Sequence, residues 1–103
     1  MELHHYSELH LKAAPYSEFL RTGDLSVGIY RLPVGSVDKQ QPHTEEEIYF
    51  VVSGRSRFRS GDKDVAVSPG DILFVPARES HQFYGVEDDL EVLVFFAPPE
   101  GSR

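Results

Sequence analysis

The chain has 103 residues, of which 40% are hydrophobic and 26% are charged, and it contains no cysteine. This length predicts a single domain, because a second independent core would need roughly 100 further residues. Without cysteine, the chain has no disulfides, thiolate nucleophiles or cysteine-ligated metal centres. A bound metal would need histidine, carboxylate or amide ligands.

The formal net charge is −7. A surface of that sign repels phosphate backbones and anionic lipid headgroups, so we expect neither a nucleic-acid nor a membrane partner. No stretch approaches the roughly 18 consecutive apolar residues of a membrane-spanning helix. The polar, acidic N-terminal sequence MELHHYSELH lacks the basic and then apolar character of a signal peptide. These features predict a cytoplasmic protein.

Residues 1–24 show no regular pattern and are predicted to form an N-terminal arm or short edge strands. Farther along the chain, short runs rich in Val, Ile, Phe and Tyr alternate with turn residues, which is typical of β-strands. The predicted strands are 25–32, 48–52, 55–60, 65–67, 72–75, 81–84 and 90–97. We therefore predict an all-β fold, an antiparallel barrel or jelly roll, over residues 25–97. Two prolines predict a loose tail at residues 98–103.

Alternation along two of these strands predicts which side chains face inward. In residues 55–60 it turns Phe58 inward and three arginines outward, onto a solvated face. The run at residues 90–97 is apolar on both faces apart from Glu91, which predicts a central strand covered on both sides.

A cluster of polar residues precedes the most apolar predicted strand. Gln41, His43 and Glu47 have the same parity, so in an extended chain all three side chains point to one face. Pro42 and the β-branched run that follows argue against a helix here. His81 begins another predicted strand after a loop, where its imidazole can complete a site built by the first group.

These residues resemble the two motifs of the small single-domain cupins. The first motif is reproduced at every interval, with glutamine in place of its first histidine. Its positions are Gly35, Gln41, His43, Glu47 and Gly54. The second motif is also present, except that Arg78 and Gly85 depart from it. Its positions are Gly70, Pro76, Arg78, His81 and Gly85. The resemblance covers about residues 25–97 and implies a double-stranded β-helix, the jelly roll of that family.

The resemblance also implies a divalent transition metal in the barrel mouth, held by Gln41, His43, Glu47 and His81. Gln41 could ligate the metal through its carbonyl oxygen, or it could hydrogen-bond a metal-bound water and leave a three-point set. Two histidines and one carboxylate suit Fe(II), and Zn, Mn or Ni fit the same ligands. A further alternative is that no metal binds and the polar groups satisfy one another.

Three other residues are candidates for contact with a substrate. Tyr49 and Phe83 share the strand faces of Glu47 and His81, although both are equally suited to an ordinary core. Arg31 could attract a carboxylate if it approached the barrel interior, with solvent exposure as the alternative.

The resulting hypothesis is a metal-dependent enzyme that acts on a small organic molecule. Its reaction class, whether oxygenase, isomerase or lyase, stays open because fold does not determine chemistry, and no catalytic residue beyond the ligands is identified. The alternative is a non-catalytic barrel that captures a metal or small ligand, or acts as a sensor. We also expect a homodimer, formed through the sheet face or the N-terminal arm.

Overall fold

A computed structural model describes residues 1–9 and 15–102. These residues form a short 3₁₀ helix and six β-strands, which follow one another in sequence. Their bounds are Tyr6–Glu8 for the 3₁₀ helix, then β1 (Tyr16–Arg21), β2 (Ser26–Leu32), β3 (Glu46–Ser60), β4 (Lys63–Val67), β5 (Ile72–Val75) and β6 (His81–Ala97). None of the described helices is long and apolar enough to cross a membrane. The predicted all-β fold is confirmed.

The strands pair antiparallel throughout, in the order β1-β2-β6-β3-β4, with β5 also paired to β3. Among the described residues, backbone hydrogen bonds do not close the sheet into a ring, and the arrangement is that of a jelly roll. The two longest strands, β3 and β6, pair with each other in the middle. The last strand is therefore central, as its two apolar faces predicted.

Two predicted strand pairs are each one continuous strand in the structure. The predicted turn at residues 53–54 lies inside β3, where the register with β6 is irregular. Gly54 has φ +90°, and a Cβ there would lie 2.2 Å from the carbonyl oxygen of Asp89. Glycine thus bends β3 against the neighbouring strand instead of ending it, as β-bulges do. The predicted strands 81–84 and 90–97 likewise belong to one strand, β6.

The core lies on the concave side of the sheet and contains alternate residues of the long strands. Phe58 is buried there, and Arg55, Arg57 and Arg59 are exposed, as alternation predicted. The buried apolar cluster comprises Tyr30, Leu32, Tyr49, Val51, Phe58, Val67, Val75, Phe83, Leu90, Val92, Val94 and Phe96.

The two ends of the chain pack against β2. Strand β1 lies at the sheet edge beside β2, within the region predicted as an arm or edge strands; residues 10–14 of that region lie outside the described residues. At the other end Pro99 is buried, and the Glu100 N–H donates to Ser26 Oγ at 3.0 Å. The beginning of the tail is therefore tied to the sheet, in contrast to the loose tail that its prolines predicted.

A buried aspartate fixes the long connection between β2 and β3. Asp38 Oδ1 accepts a hydrogen bond from the Tyr30 hydroxyl at 2.7 Å, and its Oδ2 accepts one from the Phe83 N–H at 2.9 Å. These two bonds join the connection to β2 and β6, so the residues that follow it enter the barrel mouth at a defined place.

Candidate metal centre

His43 comes from an irregular segment, because β3 begins only at Glu46. The predicted alternation from residue 41 therefore does not apply, and Gln41 is exposed. The His43 carbonyl accepts a hydrogen bond from the Arg78 N–H at 2.6 Å, which joins this segment to the loop before β6. Its ring packs edge-on against Phe96, with the centroids 4.9 Å apart.

Glu47 lies at the start of β3 and points into the barrel. Its neighbours are Phe96 on β6 and Val75 on β5, and its side chain is only 1% exposed. Burial raises the pKa of this carboxyl above its ordinary value, and the nearby His81 and His43 oppose that rise. A carboxylate at this position calls for a positive partner.

His81 begins β6 and is oriented by its own loop. Its Nδ1 lies 3.0 Å from the Glu79 carbonyl oxygen. A carbonyl only accepts hydrogen bonds, so Nδ1 is the donor in this contact, and the neutral form of the ring has its lone pair at Nε2. That Nε2 atom lies 3.2 Å from Glu47 Oε1. Such a backbone contact is the usual way a metal-ligating histidine is held in orientation.

The three side chains meet with their ligand atoms unpartnered. His43 Nε2 is 3.9 Å from Glu47 Oε1, and one ligand atom from each residue lies within 4.8 Å of the other two. His43 Nε2, Glu47 Oε2 and His81 Nε2 are all buried, and none has a hydrogen-bond partner among residues 1–9 and 15–102. Each such group costs about 1–3 kcal/mol when left unsatisfied. Two nitrogen donors and a carboxylate at these separations fit a divalent transition metal.

The other predicted residues lie in different surroundings. Tyr49 is buried beside His81, with the ring centroids 6.0 Å apart. Phe83 is buried against Tyr49, at a centroid distance of 5.1 Å. Arg31 is exposed and pairs with Glu91 at 3.3 Å on the outer face of the sheet, so we assign it no role in this site. Gln41 does not join the buried group.

The neighbouring glutamine, Gln40, contacts the site instead. Its Oε1 accepts a hydrogen bond from the Tyr49 hydroxyl at 3.1 Å, and its backbone N–H donates to Asp38 Oδ1 at 3.1 Å. Strand alternation could not identify Gln40, because residues 40–45 do not lie in a strand. Its side chain is positioned by the buried aspartate, whose role has no marker in the sequence.

A second residue that the sequence did not reveal is Tyr16 on the edge strand. Its hydroxyl is buried and has no hydrogen-bond partner in the described part of the chain. The centroid of its ring lies 6.2 Å from that of Phe96, which also contacts His43. A Cβ at Gly28 would lie 2.4 Å from the Tyr16 ring. A glycine within a strand marks such a close approach, and this was the available clue.

One departure from the motif has a structural consequence. Arg78 occupies the position where the family motif has glycine, and it keeps a positive φ of 67°. The left-handed conformation costs a non-glycine residue on the order of 1 kcal/mol. Its N–H nevertheless holds the His43 carbonyl, so this strained turn helps to place a ligand.

Comparison with known proteins agrees with this geometry. The family model for the cupin domain matches residues 28–97. The chain belongs to the cupin domain family. An uncharacterized protein of Streptomyces coelicolor is 46% identical over 85 residues, covering 82% of this chain and 81% of its own length.

Two further similarities concern function and fold separately. Acireductone dioxygenase of Bacillus thuringiensis is 34% identical over 70 residues, which cover 61% of this chain and 41% of that enzyme. The chain thus spans less than half of the dioxygenase it matches. The structure of KdgF from a Halomonas species superposes with a TM-score of 0.79 at 22% identity, over 95% of this chain and 94% of that one. That second likeness shows the fold alone.

Proposed function

We propose that this cupin binds a divalent transition metal through His43 Nε2, the Glu47 carboxylate and His81 Nε2, and that it is an enzyme acting on a small organic molecule. The observation that carries the proposal is the set of three buried ligand atoms with no hydrogen-bond partner. A metal would satisfy all three at once and neutralise the buried carboxylate. Without a metal, His81 Nε2 has only the Glu47 Oε1 atom beside it, at 3.2 Å. His43 Nε2 and Glu47 Oε2 have no hydrogen-bond partner among the described residues.

When bound, the metal would supply Lewis acidity and hold a substrate oxygen. The protein groups have separate tasks. The Glu79 carbonyl keeps the His81 ring in orientation, and Phe96 packs against His43. His81 and Glu47 are almost fully buried, whereas 19% of the His43 side chain is exposed, so a substrate would approach on the His43 side.

An oxygen-dependent reaction is the best supported of the three reaction classes. Two histidines and one carboxylate with open positions are the ligand set of non-haem Fe(II) oxygenases, and a dioxygenase is 34% identical over 70 residues. Isomerase and lyase activities are the alternatives. A small-molecule substrate and a cytoplasmic location remain predictions.

A metal-content experiment tests the centre itself. Protein purified without added metal is analysed by elemental mass spectrometry and then titrated separately with Fe²⁺, Mn²⁺, Ni²⁺ and Zn²⁺ under anaerobic conditions. We expect close to one equivalent for the wild type and strong loss in His43→Ala and His81→Ala, because each removes a donor. Gln41→Ala is the matched control, since an exposed amide outside the cluster should weaken retention only slightly.

Three results would contradict the proposal or correct it. Less than about a tenth of an equivalent, with no uptake on addition, would eliminate the metal centre, because a preformed site of this kind binds at micromolar metal or below. Equal loss in all three variants would make Gln41 a full ligand. Bound metal without oxygen consumption on diketones, keto acids or sugar acids would favour isomerase, lyase or non-catalytic binding over the oxygenase.

A further inference from the structure

Among the described residues, three tyrosines belong to the buried cluster or pack against it. The Tyr30 hydroxyl donates to Asp38 Oδ1 at 2.7 Å, and the Tyr49 hydroxyl donates to Gln40 Oε1 at 3.1 Å. The Tyr16 hydroxyl is also buried, but it has no hydrogen-bond partner in the described part of the chain. A buried hydroxyl without a partner destabilises a fold, so this one needs a reason to be there.

Tyr16 reaches the interior because a residue of the neighbouring strand has no side chain. Gly28 on β2 has the parity of Tyr30, which is part of the core, so its inner side faces the barrel. A Cβ on Gly28 would lie 2.4 Å from the Tyr16 hydroxyl oxygen and just as close to the ring. Even alanine would therefore displace the tyrosine, and the glycine keeps the hydroxyl inside the barrel.

The inner face that Tyr16 covers continues directly to the candidate metal centre. Strand β6 lies between β2 and β3, and its Phe96 pairs with Ser26 on one side and with Glu47 on the other. The centroid of the Phe96 ring is 6.2 Å from that of Tyr16 and 4.9 Å from that of His43. The Tyr16 hydroxyl and the three ligand atoms therefore face the same interior, on either side of Phe96.

The surroundings of this hydroxyl keep it protonated. Burial raises the pKa of Tyr16 above its ordinary value. Three nearby carboxylates add to that rise and Arg21 opposes it; the carboxylates are those of Glu100, Glu18 and Glu47. A neutral phenol donates a hydrogen bond and is a poor base, so the group that Tyr16 offers is an O–H donor.

Tyr16 also lines an open cleft at the edge of the barrel. The cleft has a volume of about 590 Å³ and is lined by the end of β2 and by the connection after it. Gln40 lines the same cleft, but its side-chain oxygen and nitrogen both have partners, in Tyr49 and Asp38. The exposed ammonium of Lys39 adds a positive charge there. A small molecule thus has access to the edge where Tyr16 lies, and the lysine favours an anionic one.

We propose that Tyr16 is a substrate-binding residue, whose hydroxyl donates a hydrogen bond to an oxygen atom of a small molecule in the barrel mouth. The inference rests on the proposed function, since the metal would hold the same molecule from the side of His43 and Glu47. It narrows the substrate class to compounds with an accepting oxygen, such as a ketone, an enolate or a carboxylate. A donor at this place also stabilises negative charge that develops on that oxygen.

Tyr16→Phe in the full chain tests the inference, because it removes the hydroxyl and keeps the ring. Wild type and variant are loaded with Zn²⁺ and titrated by calorimetry with acetohydroxamate, whose oxygens bind metals and accept hydrogen bonds. We expect the variant to bind this probe about 10-fold more weakly, the effect of one lost hydrogen bond. Imidazole is the control ligand, since it binds a metal through nitrogen and has no oxygen to accept from Tyr16. Its affinity and the zinc content should not change.

Urea denaturation of the metal-free protein is an independent readout. Loss of an unpartnered hydroxyl should leave the midpoint of Tyr16→Phe at or above that of the wild type. Tyr30→Phe is the matched control, because Tyr30 pairs with Tyr16 across β1 and β2 and its hydroxyl does have a partner, Asp38. Its midpoint should fall.

Several results would overturn the inference. A midpoint that falls in Tyr16→Phe as far as in Tyr30→Phe would mean that the hydroxyl has a partner within the fold. Unchanged affinity for acetohydroxamate, or no binding of it by zinc-loaded wild type, would exclude the donor and leave the metal centre standing. Equal weakening of acetohydroxamate and imidazole would also exclude it, because the metal itself would then have been disturbed. A wild type that takes up no metal would instead eliminate the proposed function, and this inference with it.

Discussion

Strands β3 and β6 carry two clusters of ionisable side chains that differ in their surroundings. Glu47 and His81 meet His43 inside the barrel, where three candidate ligand atoms are buried and have no hydrogen-bond partner among the described residues. Farther along the same strands, Arg57 and Tyr84 meet Asp64 on the surface. There Arg57 Nη2 lies 3.0 Å from Asp64 Oδ1, and the Tyr84 hydroxyl donates to the other carboxylate oxygen.

The surface cluster also includes Arg59, whose guanidinium lies 4.6 Å from the centre of the Tyr84 ring. Its charges satisfy one another and remain in water, where such pairs contribute little to stability. The inner cluster has the opposite properties, since burial penalises its charge and its polar atoms lack partners. Complete pairing accounts for the outer cluster by itself, whereas the inner cluster contains buried polar atoms that the proposed metal would satisfy.

Removing one carboxylate from each cluster should give the largest contrast. Glu47→Gln replaces a charged metal donor with a neutral amide, so we expect metal affinity to fall by at least about 100-fold. Asp64→Asn should leave metal affinity unchanged. Competition with a fluorescent chelator measures both. Equal affinities in wild type and Glu47→Gln would show that the inner carboxylate is not a ligand.

In metal-free protein, the two carboxylates that these variants remove should make the free energy of unfolding depend on pH in opposite directions. Burial raises the pKa of Glu47 above its ordinary 4.5, so the native state resists ionisation there and loses stability as pH rises from 4.5 through the raised pKa. The Tyr84 hydroxyl and Arg57 lower the pKa of Asp64, so its contribution is present above 3.8 and is lost as pH falls through the lowered value.

Urea denaturation in chelator, followed across pH 3 to 8, measures these dependences. Glu47→Gln should flatten the decline above pH 4.5, and Asp64→Asn should flatten only the acid end of the curve, by a small amount. Parallel curves for wild type and Glu47→Gln would contradict the penalty on the buried charge.

Each cluster has a neighbouring or member tyrosine, and removing its hydroxyl should change stability less than removing a carboxylate changes metal affinity. Tyr49 lies beside the inner cluster, and Tyr84 belongs to the outer one. Tyr49 is fully buried and its hydroxyl donates to Gln40 Oε1, whereas Tyr84 is partly exposed. Tyr49→Phe should keep the ring contact with Phe83 and lower the free energy of unfolding by about 1–2 kcal/mol, because it removes a buried hydrogen bond. Tyr84→Phe should shift the denaturation midpoint within error, since water replaces its partner. A larger loss in Tyr84→Phe would reverse our assignment of the two environments.

Much of this contrast was accessible from the sequence. Alternation placed Phe58 inward and the arginines outward, because β3 pairs with β4 without interruption from Ser56 to Ser60. The spacing of His43, Glu47 and His81 indicated residues that the structure does bring together. Both predictions depend on short-range geometry or on motif intervals, which a sequence contains directly.

The rest depends on long-range contacts. Gly54 has the local character of a turn, and only the nearby Asp89 backbone explains why it bends a continuous strand. Gln41 and Gln40 are indistinguishable by chemistry, and the buried Asp38 determines which of them faces the site. Arg31 shares its face of β2 with Val27 and Ile29, but that face is the outer one, because Tyr30 and Leu32 of opposite parity enter the core. There Arg31 pairs with Glu91 on the neighbouring strand.

Arg57→Gln should have the smallest effect and tests the outer cluster most directly. We expect a slight decrease in the denaturation midpoint at low ionic strength that disappears in about 1 M NaCl, where the screening length is about 3 Å. Metal content should not change. Arg55→Gln is the matched control, since Arg55 is equally solvated and pairs with Asp88 at 3.0 Å. A loss in Arg57→Gln alone that persists in high salt would mean that the outer cluster stabilises the fold through packing as well as charge, and the two clusters would then differ less than their hydrogen bonds indicate.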